Sequence, residues 1–314
     1  MPDTATSQRR SVLEVLGAAI LFGTTGTSAS FAPPSAGPVA IGAARLVVGG
    51  AGLLAILPVL GGSRRSAVAL WRNPWGLAAG IMAAVYQLAF FAGVARAGVA
   101  LATLVAIGSG PIVVGLLSWI LLRERPGLTW WISTAICIAG LGLLTFDGTE
   151  RPGVDIGGLL LSLASGTGYA VYTVAAKRLM SAGHQASEVM AAAFGLGGLI
   201  LVPVLLITGA AWIASLAGLA VTLWLGLVTT TIAYVLYGRG LRVLPAGPTA
   251  TLVLAEPLVA TLLGVGLLGE RLGLIGWAGA ALVAVGLGLQ GLAAIRGRAG
   301  ANAPAADPAI EPFV

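Results

Sequence analysis

Apolar residues run along this chain in stretches of about twenty, the length a helix needs to cross a bilayer, separated by short polar punctuation. Ten such runs can be laid out, over 12–31, 37–60, 75–95, 98–121, 128–146, 154–176, 187–208, 215–238, 246–268 and 273–294. Turn residues mark the breaks, at Pro33-Pro34, Gly61-Gly62, Asp147-Gly148, Pro152 and Pro245. Beyond Arg298 the pattern stops, and the Ala/Pro-rich stretch 299–314 reads as a disordered tail.

A segment inside this pattern occurs twice. Gly110-Pro111, Leu122-Arg123-Glu124-Arg125 and Trp131 return as Glu256-Pro257, Leu268-Gly269-Glu270-Arg271 and Trp277. The offset is constant, since 257 − 111, 270 − 124 and 277 − 131 all equal 146. Each copy holds five spans, an odd number, so the copies must cross the membrane in opposite senses. The expected fold is therefore all-α and integral to the membrane, with ten transmembrane helices in a five-plus-five inverted repeat. The halves fall at 1–150 (spans 1–5) and 151–298 (spans 6–10). Inverted repeats of this kind are a common framework for alternating access.

Charge sets the orientation. Of the 17 basic residues, an inside N-terminus places Arg96, Arg151 and Arg271 outside and Arg45 within a span, leaving 17 − 4 = 13 on the cytoplasmic side. That bias predicts both termini in the cytoplasm, for a multi-pass protein of the cell inner membrane. The net charge of +6 is spread singly or in pairs between apolar runs, so it orients helices and implies no nucleic acid. Only 9% of residues are charged and 58% are hydrophobic, against about a quarter charged in soluble domains. Lipid must be the solvent. Forty-seven glycines suit close helix approach. Arg9-Arg10 ahead of an apolar stretch resembles a signal peptide. The stretch has a counterpart in the second half, however, and Thr24, Thr25, Gly26 and Thr27 interrupt it, so it reads as the first span.

Absences narrow the chemistry. One cysteine, Cys137, excludes an intrachain disulfide framework, and one histidine, His184, removes the usual catalytic base. No His/Asp/Glu cluster has metal spacing, and there is no Walker A lysine motif, so no metal or cofactor is expected.

The repeated residues resemble the drug/metabolite transporter superfamily, specifically its ten-span EamA-type exporters. The resemblance rests on Glu256-Pro257-Leu258, Leu268-Gly269-Glu270-Arg271-Leu272 and Gly286-Leu287-Gly288, with Phe22-Gly23 in span 1 and Arg45 in span 2. The first copy departs from the pattern: Gly110 replaces the glutamate, and Arg123-Glu124-Arg125-Pro126 replaces Gly-Glu-Arg-Leu. The resemblance implies ten helices around a central cavity. It also implies peripheral spans 5 and 10 available for contacts, such as a homodimer, and substrates ranging from amino acids to cationic drugs.

Several residues are candidates for the chemistry. Glu256 falls about ten residues into span 9, near the midplane, where a carboxylate costs a few kcal/mol unless it meets a partner or a wet cavity. It would bind a substrate ammonium or a proton, or else set packing. Arg45, at comparable depth in span 2, would pair with Glu256 or hold a substrate carboxylate, or snorkel outward. Pro111 and Pro257 each free a carbonyl one turn earlier, giving hinges or static kinks. Glu124 and Glu270, at the ends of spans 4 and 9, would cap the next helix. Tyr86 and Gln87 in span 3, Tyr169 and Tyr172 in span 6, and Trp224 and Tyr234 in span 8 suggest an aromatic cavity wall. Trp71, Trp75, Trp130 and Trp131 suggest an interfacial belt, and Tyr237 fits either role. Thr24, Thr25, Thr27 and Ser28 would bond substrate or their own helix.

One acid, one base and aromatic walls suit a zwitterion. The expected function is thus a secondary exporter of small metabolites, amino acids foremost. An exporter of lipophilic cations is the alternative; a lipid-processing membrane enzyme is disfavoured by the single histidine, and a passive channel is a third reading.

Overall fold

A computed structural model describes residues 4–146 and 155–297. Ten helices are long and apolar enough to cross a membrane: Thr6–Ala29, Pro38–Ile56, Pro74–Ala97, Leu101–Leu122, Leu128–Thr145, Ile156–Ser181, Ala186–Thr208, Leu216–Val243, Ala246–Leu267 and Leu274–Ile295. These are spans 1 to 10. The boundary between the halves, the punctuation at Asp147-Gly148 and Pro152, and the tail 299–314 lie outside the described residues.

Two spans are not regular α-helices. Span 8 passes through a π-helical stretch, Trp224–Ile232. Span 9 breaks into Ala246–Leu252 and Ala255–Leu267, with Val253 and Leu254 in a turn. The break follows from Pro257, which has no N–H for the Val253 carbonyl; that carbonyl instead accepts from the Glu256 N–H at 2.8 Å. Pro111 occupies the equivalent position in span 4 yet lies inside one continuous helix, Val99–Leu122. The two prolines therefore do different things, contrary to the symmetric pair of hinges expected from the repeat.

The packing repeats with the sequence. Span 3 lies along span 6 as span 1 lies along span 8, and span 2 pairs with span 7 across the centre. Spans 5 and 10 pack on each other beside this core, with the Gly140 and Gly279 backbones in direct apposition. A methyl at either glycine would meet the other's carbonyl oxygen at 2.7 Å.

The Glu-Arg motifs end spans 4 and 9 with the same cap. Glu124 donates its N–H to the Ser118 carbonyl at 3.2 Å, and Glu270 donates to Gly264 at 3.1 Å. In each case the bond spans six residues and the residue before the glutamate is left-handed, Gly269 at φ 72° and Arg123 at φ 59°. Arg123 is the lone non-glycine residue of positive φ among the described residues. Glycine is thus required in the motif by backbone geometry, and the first copy tolerates strain there. Arg123→Gly is expected to raise the melting temperature in detergent by the equivalent of up to about 1 kcal/mol, and Gly269→Ala to lower it by about as much.

The glutamates' side chains depart from expectation. Glu124 was expected to cap span 5, but its Oε2 accepts from the Ala246 N–H at 2.8 Å, capping span 9 in the other half. Burial pushes its carboxyl above the usual range, against Lys177 and the Ala246 amide, which pull it down. Lys177, buried near the end of span 6, donates to the carbonyls of Leu241 and Leu244 at 2.8 Å and of Arg242 at 3.3 Å. Together they hold both sides of the span 8–9 connection, one at a helix C-terminus and one at a helix N-terminus.

This end of the bundle carries Arg64, Arg65, Arg72, Arg123, Lys177, Arg178, Arg239 and Arg242, and is called the basic face below. Trp130 seals it from within. It is 2% exposed; a methyl on Gly115 of span 4 would collide with its indole, and one on Gly247 of span 9 would press on it at 3.1 Å. It is a core wedge, not the belt residue expected; its neighbour Trp131, 42% exposed, does face outward. At the opposite face Asp155 caps span 6 through the Gly158 N–H at 2.8 Å and pairs with Arg96 at 3.2 Å. The Gly158 amide and then Arg96 hold its carboxyl below the usual range.

Candidate functional site

The two proline segments meet at a small, partly open cavity. Inverted pairs of spans supply its walls: Phe22 from span 1 and Tyr169 from span 6, Tyr86 from span 3 and Tyr234 from span 8, Pro111 from span 4 and Glu256 from span 9. Ala106, Ile107, Ala250, Val253 and Leu254 complete it. Six of the residues singled out from the sequence, Phe22, Tyr86, Pro111, Tyr169, Tyr234 and Glu256, therefore come together. Pro257 is buried in the broken span and does not line the cavity.

Close backbone approach builds the site. Gly23 lets span 1 lie against the break, since a methyl there would sit 2.8 Å from the Glu256 carbonyl oxygen. Gly110, the counterpart of Glu256, faces Tyr169, whose ring would lie 3.1 Å from an added methyl. The position that carries an acid in one copy thus carries an aromatic contact in the other. Spans 4 and 9 also part at this level. Ala246–Leu252 packs on span 4, whereas Ala255–Leu267 packs on span 1. Towards the basic face spans 4 and 9 are held together by Trp130 and the Glu124 cap.

All five tyrosines of the chain gather here with Phe22 and Phe194. Tyr172 and Tyr234 hydroxyls lie 3.2 Å apart, Tyr169 and Tyr237 hydroxyls 3.3 Å, and Thr173 Oγ1 is 3.0 Å from Tyr237. Phe194 stacks on Tyr234 at 3.7 Å between centroids. Tyr237 is fully buried in this network, which excludes it from an interfacial belt. Tyr86 reaches the cavity with no hydrogen bond to its hydroxyl among the described residues, so it is the ring whose polar tip remains available. Trp224 is elsewhere: it is 45% exposed and donates to Thr24 Oγ1 at 3.0 Å.

Arg45 and Gln87 do not line the cavity. Arg45 is 6% exposed and donates from Nε to Thr230 Oγ1 at 3.2 Å and from Nη2 to the Thr229 carbonyl at 3.4 Å. The π-helical stretch makes this possible. Thr229 and Thr230 hydroxyls both donate to the Leu225 carbonyl, so Thr230 offers its lone pairs to the guanidinium. No ion pair joins Arg45 to Glu256 among the described residues, although the two are within electrostatic reach. Gln87 is buried against Gly42 of span 2, and its Nε2 has no hydrogen-bond partner among the described residues. In span 1, Thr24 Oγ1 donates to the Leu21 carbonyl of its own helix at 2.8 Å, while Thr25 Oγ1 is buried with no hydrogen-bond partner among the described residues. Sequence reasoning passed over Lys177, counted there as one orienting cation among many; its position at the end of an apolar run was the available signal.

A ten-span inverted repeat with proline segments crossing at a cavity has relatives. Residues 9–146 and again 156–291 match the EamA-like transporter family. The chain belongs to that family. Among relatives of this EamA-like protein is the "uncharacterized transporter YwfM" of Bacillus subtilis (strain 168), 40% identical over 275 residues, 88% of this chain and 91% of that one. Another is the "uncharacterized inner membrane transporter YicL" of Salmonella typhimurium strain LT2, 29% identical over 202 residues, 63% of this chain and 65% of that one. A solved crystal structure at 22% identity superimposes with a TM-score of 0.77 over 91% of this chain and 98% of that one, which shows a shared fold. The EamA-like chain is thus a multi-pass membrane transporter in fold and family.

Proposed function

We propose that this protein is a secondary transporter of the inner membrane that moves small amine-bearing metabolites by alternating access, with its basic face and both termini in the cytoplasm. The single observation that supports the substrate reading is the composition of the cavity wall. Glu256 is its one charged side chain, set among aromatic rings. A protonated amine with an apolar body finds there a counter-charge and cation–π partners. The two halves rock about this cavity, which lies where their equivalent prolines cross.

Arg45 bears on the choice between amines and amino acids. Turned to Thr229 and Thr230, it does not line the cavity, so organic amines fit the cavity better than zwitterions. One observation favours amino acids as a second reading. The outer half of span 9 begins at Ala255 beside the cavity, and a half-helix N-terminus presents a positive dipole end to a carboxylate.

Counterflow into proteoliposomes separates the readings. Saturable uptake of a labelled aromatic amine, competed by other amines and weakly by the matching amino acid, supports the first. Stronger competition by the amino acid would select the second, and no saturable flux of either would remove both.

A further inference from the structure

The clamp on the span 8–9 connection has a counterpart that is not engaged. Glu124 of the first half caps Ala246 of the second. Exchanging the halves by the repeat offset maps this contact onto Glu270 and Ala100, since 270 − 124 = 146 and 246 − 100 = 146. Ala100 lies in the first turn of the helix Val99–Leu122, where backbone N–H groups have no intrahelical acceptor. Glu270 is exposed, and its Oε2 lies against Gly264 of its own span. The outer half of span 9 packs on span 1 and is not packed on span 4. Among the described residues, one of the two equivalent caps is seen, at the end where the proline spans pack together, and the spans part at the other end.

We propose that Glu124 and Glu270 are alternating caps: Glu124 holds the start of span 9 while the basic face is shut, and Glu270 takes the start of span 4 when that face opens and Glu124 lets go. This rests on the alternating-access reading. Rocking an inverted repeat exchanges the environments of its copies, so a contact between halves on one face must reappear, mirrored, on the other. In a rocking cycle the caps are made in turn, one with spans 4 and 9 together at the basic face and the other with them together at the opposite face. The exchange is not quite even. At the basic face Lys177 adds hydrogen bonds to the Leu241, Arg242 and Leu244 carbonyls beside the cap. The resting carrier is accordingly biased towards the state seen here, shut at the basic face.

The test needs no substrate. In a Cys137→Ala background, a cysteine introduced at Leu254 in the cavity wall is labelled with a membrane-impermeant maleimide from either face of oriented vesicles. Glu124→Ala is expected to raise the ratio of basic-face to opposite-face labelling about tenfold, the weight of one helix cap, and Glu270→Ala to lower it. The double variant returns the ratio towards the parent. Two glutamates that only stabilise the fold would not act with opposite sign or compensate each other. Glu270→Ala with an unchanged ratio, or shifted the same way as Glu124→Ala, overturns the proposal. Should an alanine variant fail to fold, the pair Ala100→Cys with Glu270→Cys serves instead: a short bismaleimide should join the two, more readily in Glu124→Gln. Absence of any joined product in that background overturns the caps equally. Labelling confined to one face in every variant would instead refute alternating access itself.

Discussion

Replacing Glu256 by glutamine is expected to lower saturable amine flux about ten- to a hundredfold while leaving the protein at least as stable. The substitution keeps the shape of the side chain and removes its charge. A hydrogen bond to a charged group contributes about 1.5–3 kcal/mol, which corresponds to that loss in affinity for the bound amine. Stability should not suffer, because Glu256 makes no ion pair among the described residues and a neutral amide is cheaper than a carboxylate at membrane depth. The melting temperature in detergent therefore separates loss of function from loss of fold. Aspartate at 256 should retain part of the flux, as the charge remains but lies farther from the cavity centre. Moving the acid to the other copy should not rescue. In Gly110→Glu combined with Glu256→Gln, the new Cβ would stand 3.1 Å from Tyr169, so the graft displaces the aromatic wall it needs. Saturable flux unchanged in Glu256→Gln would take the carboxylate out of the mechanism.

The spans and their inversion were legible in the sequence because the bilayer imposes a length and a polarity on each helix, and because the repeat keeps one offset. The acid at 256 was legible for a related reason: a charge at midplane depth stands out against its surroundings. What was not legible depends on partners in the other half. Pro111 and Pro257 look alike in sequence, yet span 9 breaks and span 4 does not. The two pieces of span 9 are directed to different neighbours, the inner one held by Glu124 and Trp130 against span 4, the outer one laid on span 1 at Gly23. Arg45 was placed at the right depth but aimed at the wrong partner. Its acceptors come from a π-helical stretch that a 3.6-residue reading of span 8 does not reveal. Trp130 and Trp131 are adjacent and identical in type, and only the phase of span 5 against spans 4 and 9 sends one inward.

Trp130→Ala is the substitution expected to cost the fold most. The indole is 2% exposed and fills the place where Gly115 and Gly247 would otherwise leave spans 4 and 9 apart. Truncating a buried tryptophan costs about 3–5 kcal/mol, and here neither glycine has a side chain to fill the space. The midpoint of thermal unfolding in detergent should fall by about 5–10 °C. Phenylalanine at 130 should recover much of the loss, because the Trp130 Nε1 has no hydrogen-bond partner among the described residues and only the ring's volume is at stake. Trp131→Ala should change the midpoint little by comparison, since that ring is 42% exposed. Equal losses for the two tryptophans would show that the wedge between the proline spans is not what holds the basic face shut. A large loss for Trp130→Ala alone, recovered by phenylalanine, ties closure of that face to the packing volume between Gly115 and Gly247.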